Sequence, residues 1–412
     1  MNKSSVSLML SLFLGCLSTG LSSCRPPGQN TNGSPDFTAD ERTKIYALSP
    51  LPSPPPNPSN RYADNPQAAH LGQYLFFDPR LSQNQKINCA SCHNPGLGWS
   101  DQQALAQGLG LGTRNSPSLW NVAYQRWLFW DGRADSIWAQ SQGPLFSAHE
   151  MGASPALLYQ RFLQTPELKQ GYEAVFGTLL PPKSPQDTQR FVSNIGKALE
   201  AYQRKIISTE SGFDRFVKAL RSQDPKASEL LSVSAQRGLR LFIGAGQCML
   251  CHQGPLLSDG EFHNIGLPAL PGVAKDPGRS NGIAAVKNSP WNGLGAFSDS
   301  APDAPWNDKL RYVKTDPNML GAFRTPSLRE IAHTAPYMHD GRFKTLGEVI
   351  QFYNAPVAAP ALGEREDTLQ PLQLTTEDMQ DLETFLRSLS SGPPDPALSH
   401  QPASPVGGVS EK

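Results

Sequence analysis

The sequence predicts a mainly α-helical chain with long loops and little strand, built as two homologous units in tandem. Three observations predict it. A five-residue motif, CxxCH, occurs twice, at Cys89-Ala90-Ser91-Cys92-His93 and Cys248-Met249-Leu250-Cys251-His252. The segments around the two motifs repeat each other. Pro and Gly are abundant, 38 and 35 residues in 412, which favours many loops and short helices.

The length suits two domains with separate cores. Lys plus Arg equals Asp plus Glu at 36 each, giving zero formal charge. No basic stripe marks a nucleic-acid surface.

Residues 1–24 read as a bacterial signal peptide. Lys3 supplies the positive start and 6–17 the apolar stretch. Leu21-Ser22-Ser23-Cys24 resembles a lipobox, in which Cys24 becomes the lipidated N-terminus; an ordinary signal peptide cut nearby is the alternative. These features predict export to the periplasm and a lipid anchor at Cys24. Residues 25–62 are rich in Pro, Ser and Asn and read as a disordered tether, and 391–412 as a disordered tail. No other apolar run approaches bilayer length.

Four cysteines remain in the mature body, all inside the CxxCH motifs. Chance would supply about 0.002 such motifs in a chain of this composition. A zinc site needs another spacing, and a thioredoxin-type CxxC needs no following His. Covalent haem explains all six residues: Cys89 and Cys92, then Cys248 and Cys251, form thioethers, while His93 and His252 are the proximal iron ligands. Each unit therefore reads as a c-type cytochrome domain.

The internal repeat sets the boundaries. Gly72-Gln73-Tyr74-Leu75-Phe76 precedes the first motif and Gly238-Leu239-Arg240-Leu241-Phe242 the second, both on expected helices, the first opened by Asn65-Pro66. Leu97-Gly98-Trp99-Ser100-Asp101 matches Leu256-Leu257-Ser258-Asp259. Pro117-Ser118-Leu119 leads to Asp131-Gly132-Arg133, and Pro326-Ser327-Leu328 to Asp340-Gly341-Arg342, with 14 residues from Pro to Asp in both. The domains are expected at 63–215 and 230–390, with a joint near 215–230. Residues 267–318 have no counterpart and read as a surface insertion, with cover over a haem or partner surface as the alternative.

The repeat also assigns the sixth ligands. Thr345-Leu346-Gly347-Glu348 is a capping box that opens a helix carrying Tyr353, 12 residues after Gly341. Twelve residues after Gly132 stands Pro144, which has no side-chain donor. Superposed halves would give one haem a Tyr ligand and leave the other with an open position. An open ferric haem binds peroxide, whereas a closed one relays electrons. Trp130, Gln140 and Glu150 lie around Pro144 in sequence. Glu150 is the candidate acid and base for moving a proton between the peroxide oxygens, with Gln140 as the orienting donor. His149 is an alternative base, and a solvated carboxylate and a helix-surface amide are the plain alternatives for the pair. Trp130 is a candidate redox relay or simply core.

With these motifs in order, the stretch from Cys89 to about Tyr353 resembles the bacterial dihaem cytochrome c peroxidases and their MauG-like relatives. The carrying motifs are Arg114-Asn115-Ser116-Pro117-Ser118, Phe129-Trp130-Asp131-Gly132-Arg133-Ala134, Gly143-Pro144, Glu150-Met151-Gly152 and Thr334-Ala335-Pro336-Tyr337-Met338-His339-Asp340-Gly341. The resemblance implies Trp130 between the haems, Gln140 and Glu150 in the peroxide pocket, and one calcium held by Asn115 and the Thr334 and Pro336 carbonyls. It implies hydrogen peroxide as substrate and a small periplasmic electron donor, a cytochrome c or cupredoxin. The alternative is a protein substrate whose Trp or Tyr is oxidised with peroxide; a non-catalytic electron carrier is the third reading.

Two departures separate this chain from the peroxidase branch. That branch carries a blocking His in a Gly-His pair where this chain has Gly108-Leu109, and no His lies between His93 and His149. It also carries Met where this chain has Tyr353, and a phenolate ligand would lower the second haem's potential. Both resemble MauG. The MauG type, however, has a surface Trp two residues before its second CxxCH, and Gly246 stands there in this chain.

Overall fold

A computed structural model describes residues 35–356 and 359–407. The expected signal peptide, with its lipobox at Cys24, lies outside them. No helix among the described residues is long and apolar enough to cross a membrane.

The chain is mainly helical. The longer helices are α1 (Ala39–Ala47), α2 (Pro66–Phe76), α3 (Pro155–Gln164), α4 (Pro166–Phe176), α5 (Pro185–Gln203), α6 (Gly212–Arg221), α7 (Val233–Ile243), α8 (Arg279–Asn288), α9 (Leu346–Asn354) and α10 (Thr376–Arg387). Among the described residues, strand is confined to one antiparallel pair, β1 (Phe262–His263) with β2 (Phe323–Arg324), in the register Phe262 to Arg324 and His263 to Phe323. The expected helix starts hold. Asn65 caps α2 ahead of Pro66, and Thr345 with Glu348 forms the capping box of α9.

Each half has its own core. In the first, α2 crosses α5, and Leu71, Leu75, Phe76, Trp99, Phe191, Ile195 and Tyr202 pack together. In the second, α7 crosses α10 around Leu239, Phe242, Leu382 and Phe385. Glycine permits both crossings. A Cβ on Gly72 would stand 1.9 Å from the Ala198 carbonyl oxygen, and one on Gly238 would stand 2.0 Å from that of Asp381. These are the two glycines that open the repeated segments before the CxxCH motifs. Other features recur too: Asn121 and Glu330, Phe129 and Met338, and Gly132 and Gly341 all have positive φ at matching positions.

Three sequence expectations need correction. The tether expected over 25–62 is built into the fold from residue 36. Phe37, Ile45 and Leu48 are buried in the second core, α1 packs on α7, and Arg204 donates to the Pro55 carbonyl at 2.9 Å. A Pro-rich composition did not reveal that the apolar side chains of 37–48 find a partner surface far away in sequence. The tail expected over 391–412 docks, as far as 407, on the opposite half: Gln73 donates to the Ala397 and His400 carbonyls, and Tyr202 donates to that of Leu398. Third, Phe213, Phe216 and Val217 belong to the second core. The joint therefore falls before α6, not at 215–230. The insertion at 267–318 carries α8, and Val286 and Leu310 bury against Trp127 of the first half.

Candidate haem sites and the space between them

Two large cavities open beside the CxxCH motifs. The first, about 1390 Å³ with the space open to solvent counted, is lined by Cys89, Cys92 and His93; the second, about 1760 Å³ on the same count, is lined by Cys248, Cys251 and His252.

Local structure aims the ligands. Asn88 caps the single helical turn Cys89–Cys92, so both thiols and the following imidazole meet the same cavity. His93 Nδ1 donates to the Trp99 carbonyl at 3.3 Å and His252 Nδ1 to that of Leu257 at 2.9 Å. Each bond fixes the tautomer and frees Nε2 for iron. Burial lowers the pKa of both imidazoles, favouring the neutral, ligating form. No disulfide joins the four cysteines of the motifs. Burial pushes the Cys89 and Cys248 thiols up to about 12 and Cys92 to about 11, unlike the low-pKa thiols of redox or thiolate-metal sites. Unpaired thiols beside an oriented imidazole and a large cavity fit covalent haem at both places.

The structure places Gln140, Pro144 and Glu150 on the first cavity with His93. Ser136 caps the short helix Ile137–Gln140, which runs into Gln142–Phe146 and delivers Gln140 and Pro144. Glu150 sits in a turn pinned on both sides. Its N–H donates to the Ser147 carbonyl at 3.0 Å, and its own carbonyl accepts from Leu109 N at 3.0 Å. Burial raises the Glu150 pKa, opposed by Arg133, Ser147 and His149. His149 is exposed and does not line the cavity. The 106–113 loop contributes Ala106, Gly108, Gly112 and Thr113 to the wall, and none of these can ligate iron through an imidazole.

Tyr353, in the last turn of α9, lines the second cavity with His252. Burial and the adjacent cysteines raise its pKa. Its hydroxyl makes no hydrogen bond among the described residues.

Trp130 and Asn115 line both cavities. Trp130 Nε1 donates to the Asn115 carbonyl at 3.0 Å, and the Trp130 carbonyl accepts from Arg324 N at 2.8 Å. Phe129, at φ 65°, turns the chain into this bridge. Thr334 and Pro336 lie on the second cavity beside Asn115. The Thr334 and Pro336 carbonyls accept no hydrogen bond among the described residues. Nor does Asn115 Oδ1, while its Nδ2 donates to the Gln103 carbonyl at 2.8 Å.

Sequence reasoning missed several residues here. Arg114 bridges Asp131 and Asp276 across the halves at 2.6 and 2.7 Å. Arg279 lies over the Trp127 and Phe262 rings at 4.3 and 4.0 Å. His263 has Asp259 and Glu366 carboxylates 2.8 Å from its two ring nitrogens, which raises its pKa to about 11. Cys251, Asp259 and His263 are close enough to share a metal, but both His263 nitrogens are already engaged and Cys251 belongs to a haem pair. No motif spacing links the partners in these groups, so no signal in the sequence could have joined them.

Fold and site together define a helical protein with two c-type haem pockets and a tryptophan between them. The profile of the family described as "Di-haem cytochrome c peroxidase" matches residues 66–222. The chain is 38% identical over 369 residues to cytochrome-c peroxidase IdrP1 of Denitromonas iodatirespirans, covering 86% of this chain and 90% of that protein. It is 33% identical to the methylamine utilization protein MauG of Methylorubrum extorquens, over 83% and 82% of the two chains. The crystal structure of the diheme peroxidase BthA from Burkholderia thailandensis superposes with a TM-score of 0.63 at 27% identity, covering 83% of this chain and 90% of that one. The chain belongs to the di-haem cytochrome c peroxidase family and is an oxidoreductase of that family, which implies two haem c groups.

Proposed function

We propose that this protein reduces hydrogen peroxide at the first haem, with electrons relayed from a small periplasmic donor through the second. The observation that carries the reading is the asymmetry of the cavities: Pro144, Gln140 and Glu150 on the first, Tyr353 on the second. When bound, the first haem supplies the iron at which the O–O bond is reduced. Glu150 takes the proton from the near peroxide oxygen and returns it to the far one. Gln140 orients the peroxide by hydrogen bonding. Two electrons and two further protons complete the conversion to two waters. Trp130, lining both cavities, passes the electrons between them. Tyr353 would serve as a ligand to the second haem and so close that site to peroxide.

Peroxide-driven oxidation of a Trp or Tyr on a partner protein is the second reading. The imidazole-free 106–113 loop and Tyr353 favour it. Gly246 speaks against its MauG form. A Cβ there would stand 2.8 Å from the Leu241 carbonyl, so a tryptophan relay has no room without moving α7.

We also propose one calcium bound by Asn115 Oδ1 and the Thr334 and Pro336 carbonyls, with waters completing a hard-oxygen shell. Periplasmic location with a lipid anchor at Cys24 is proposed from the lipobox; Cys24→Ser should release the protein from the membrane fraction.

The test of function is steady-state peroxide consumption with a reduced small cytochrome or cupredoxin as donor. Turnover in the wild type, with loss in Glu150→Gln, is expected. Turnover undiminished in that variant would remove Glu150 from the mechanism.

A further inference from the structure

Arg324 stands out among the charged side chains of the interior. It lies in β2, is 4% exposed, and lines the second cavity with His252 and Tyr353. Its polar contacts are two long ones to carbonyls: Nε to Phe129 at 3.4 Å and Nη1 to Thr325 at 3.2 Å. Among the described residues no carboxylate forms an ion pair with it, and burial pulls its pKa to about 10. Other buried arginines behave differently: Arg329 pairs with Asp214, and Arg279 lies between two aromatic rings. Guanidinium stays charged at neutral pH, and an uncompensated charge in the interior is strongly unfavourable. The missing partner is therefore an anion that enters the cavity. Haem carries two carboxylates of its own.

We propose that Arg324 pairs with a propionate of the second haem and thereby positions that haem against Trp130. The position is marked by the backbone, since Arg324 N donates to the Trp130 carbonyl. The match of Pro117 with Pro326 puts neutral Asn115 at the equivalent place in the first half. At this register position the charge is thus present in the second half alone. There it partly offsets the effect of a Tyr353 phenolate, because a fixed cation near iron favours the ferrous state. Arg324 is a positioning residue in this account, acting through the haem.

The inference rests on the two-haem reading. The test is a spectroelectrochemical titration of the dihaem holoprotein at pH 7, with haem counted by the pyridine haemochrome assay. Arg324→Gln should shift the second haem's reduction equilibrium at least tenfold toward ferric, a fall of 59 mV per tenfold for one electron. The first haem's potential should hold. Two haems per chain with an unchanged second potential would overturn the pairing. Should the glutamine variant not accumulate, Arg324→Lys answers in its place. It loses the planar fork and should give a smaller, two- to fivefold shift, and no shift would overturn the pairing equally. A wild-type count below two haems would overturn the reading beneath the proposal.

Discussion

Replacing Asp214 by Asn tests whether the second core is tied together by one buried ion pair. Asp214 accepts from Arg329 at 2.9 and 3.1 Å, from Ser49 Oγ and Ser211 Oγ at 2.6 Å each, and the two charged side chains are 6% and 2% exposed. The pair joins α6 to the N-terminal segment and to the wall of the second cavity, which Arg329 lines. These bonds, led by Arg329, overcome burial and hold the Asp214 carboxyl down at about 2, against 3.8 ordinarily. At 1.36 kcal/mol per pKa unit this contributes about 2–3 kcal/mol of stability. A depressed carboxyl stabilises fully above its unfolded pKa, so the contribution is present above about pH 4 and fades as pH falls toward 2. Asp214→Asn goes further, since it strands Arg329, whose remaining acceptors are the Pro255 and Leu48 carbonyls. The loss should be about 3–5 kcal/mol near neutral pH. Urea unfolding of holoprotein, followed at the second haem's absorbance at pH 7 and pH 3, measures it. The gap between wild type and variant should be large at pH 7 and narrower at pH 3. A gap under about 1 kcal/mol, or one that does not change with pH, would mean that the Asp214–Arg329 pair does not hold this core together.

Further predictions concern the sites. Glu150→Gln should keep both haems and slow the peroxide reaction by about 10²–10⁴-fold, the usual contribution of a positioned acid-base group. The wild-type rate should rise with pH through a carboxyl raised by burial, because the base form does the work, and the variant should lose that limb in stopped-flow profiles. Tyr353→Met should raise the second haem's potential and change its spectrum; an unaltered spectrum would remove Tyr353 as a ligand. Chelation should remove one calcium per chain, measured by elemental analysis, and slow inter-haem electron transfer. Retained transfer after complete removal would deny the ion a role at the Trp130 bridge.

What was legible in the sequence was local or repeated. Each CxxCH carries its chemistry within five residues, and the capping signals at Asn65 and Thr345 act within one helical turn. Pro144 and Tyr353, matched by the 12-residue register, line the first and the second cavity, and the halves repeat the positive-φ positions that steer the chain between them. Contacts across the chain were not legible. Phe37 and Ile45 bury against a core that begins near residue 213, and the 397–405 segment returns to α2. Arg324 reads as one more basic residue before a Thr-Pro pair until its cavity is seen. Composition reads 25–62 as a tether because proline, serine and asparagine dominate it, while three apolar anchors decide where its described part goes.

Mixing fully oxidised protein with stoichiometric hydrogen peroxide in a stopped flow shows whether the first haem site is open before any reduction. A rapid change in the haem spectrum without prior reduction is the predicted result. No reaction until one haem has been reduced would contradict it, showing that a ligand from the protein closes the first site.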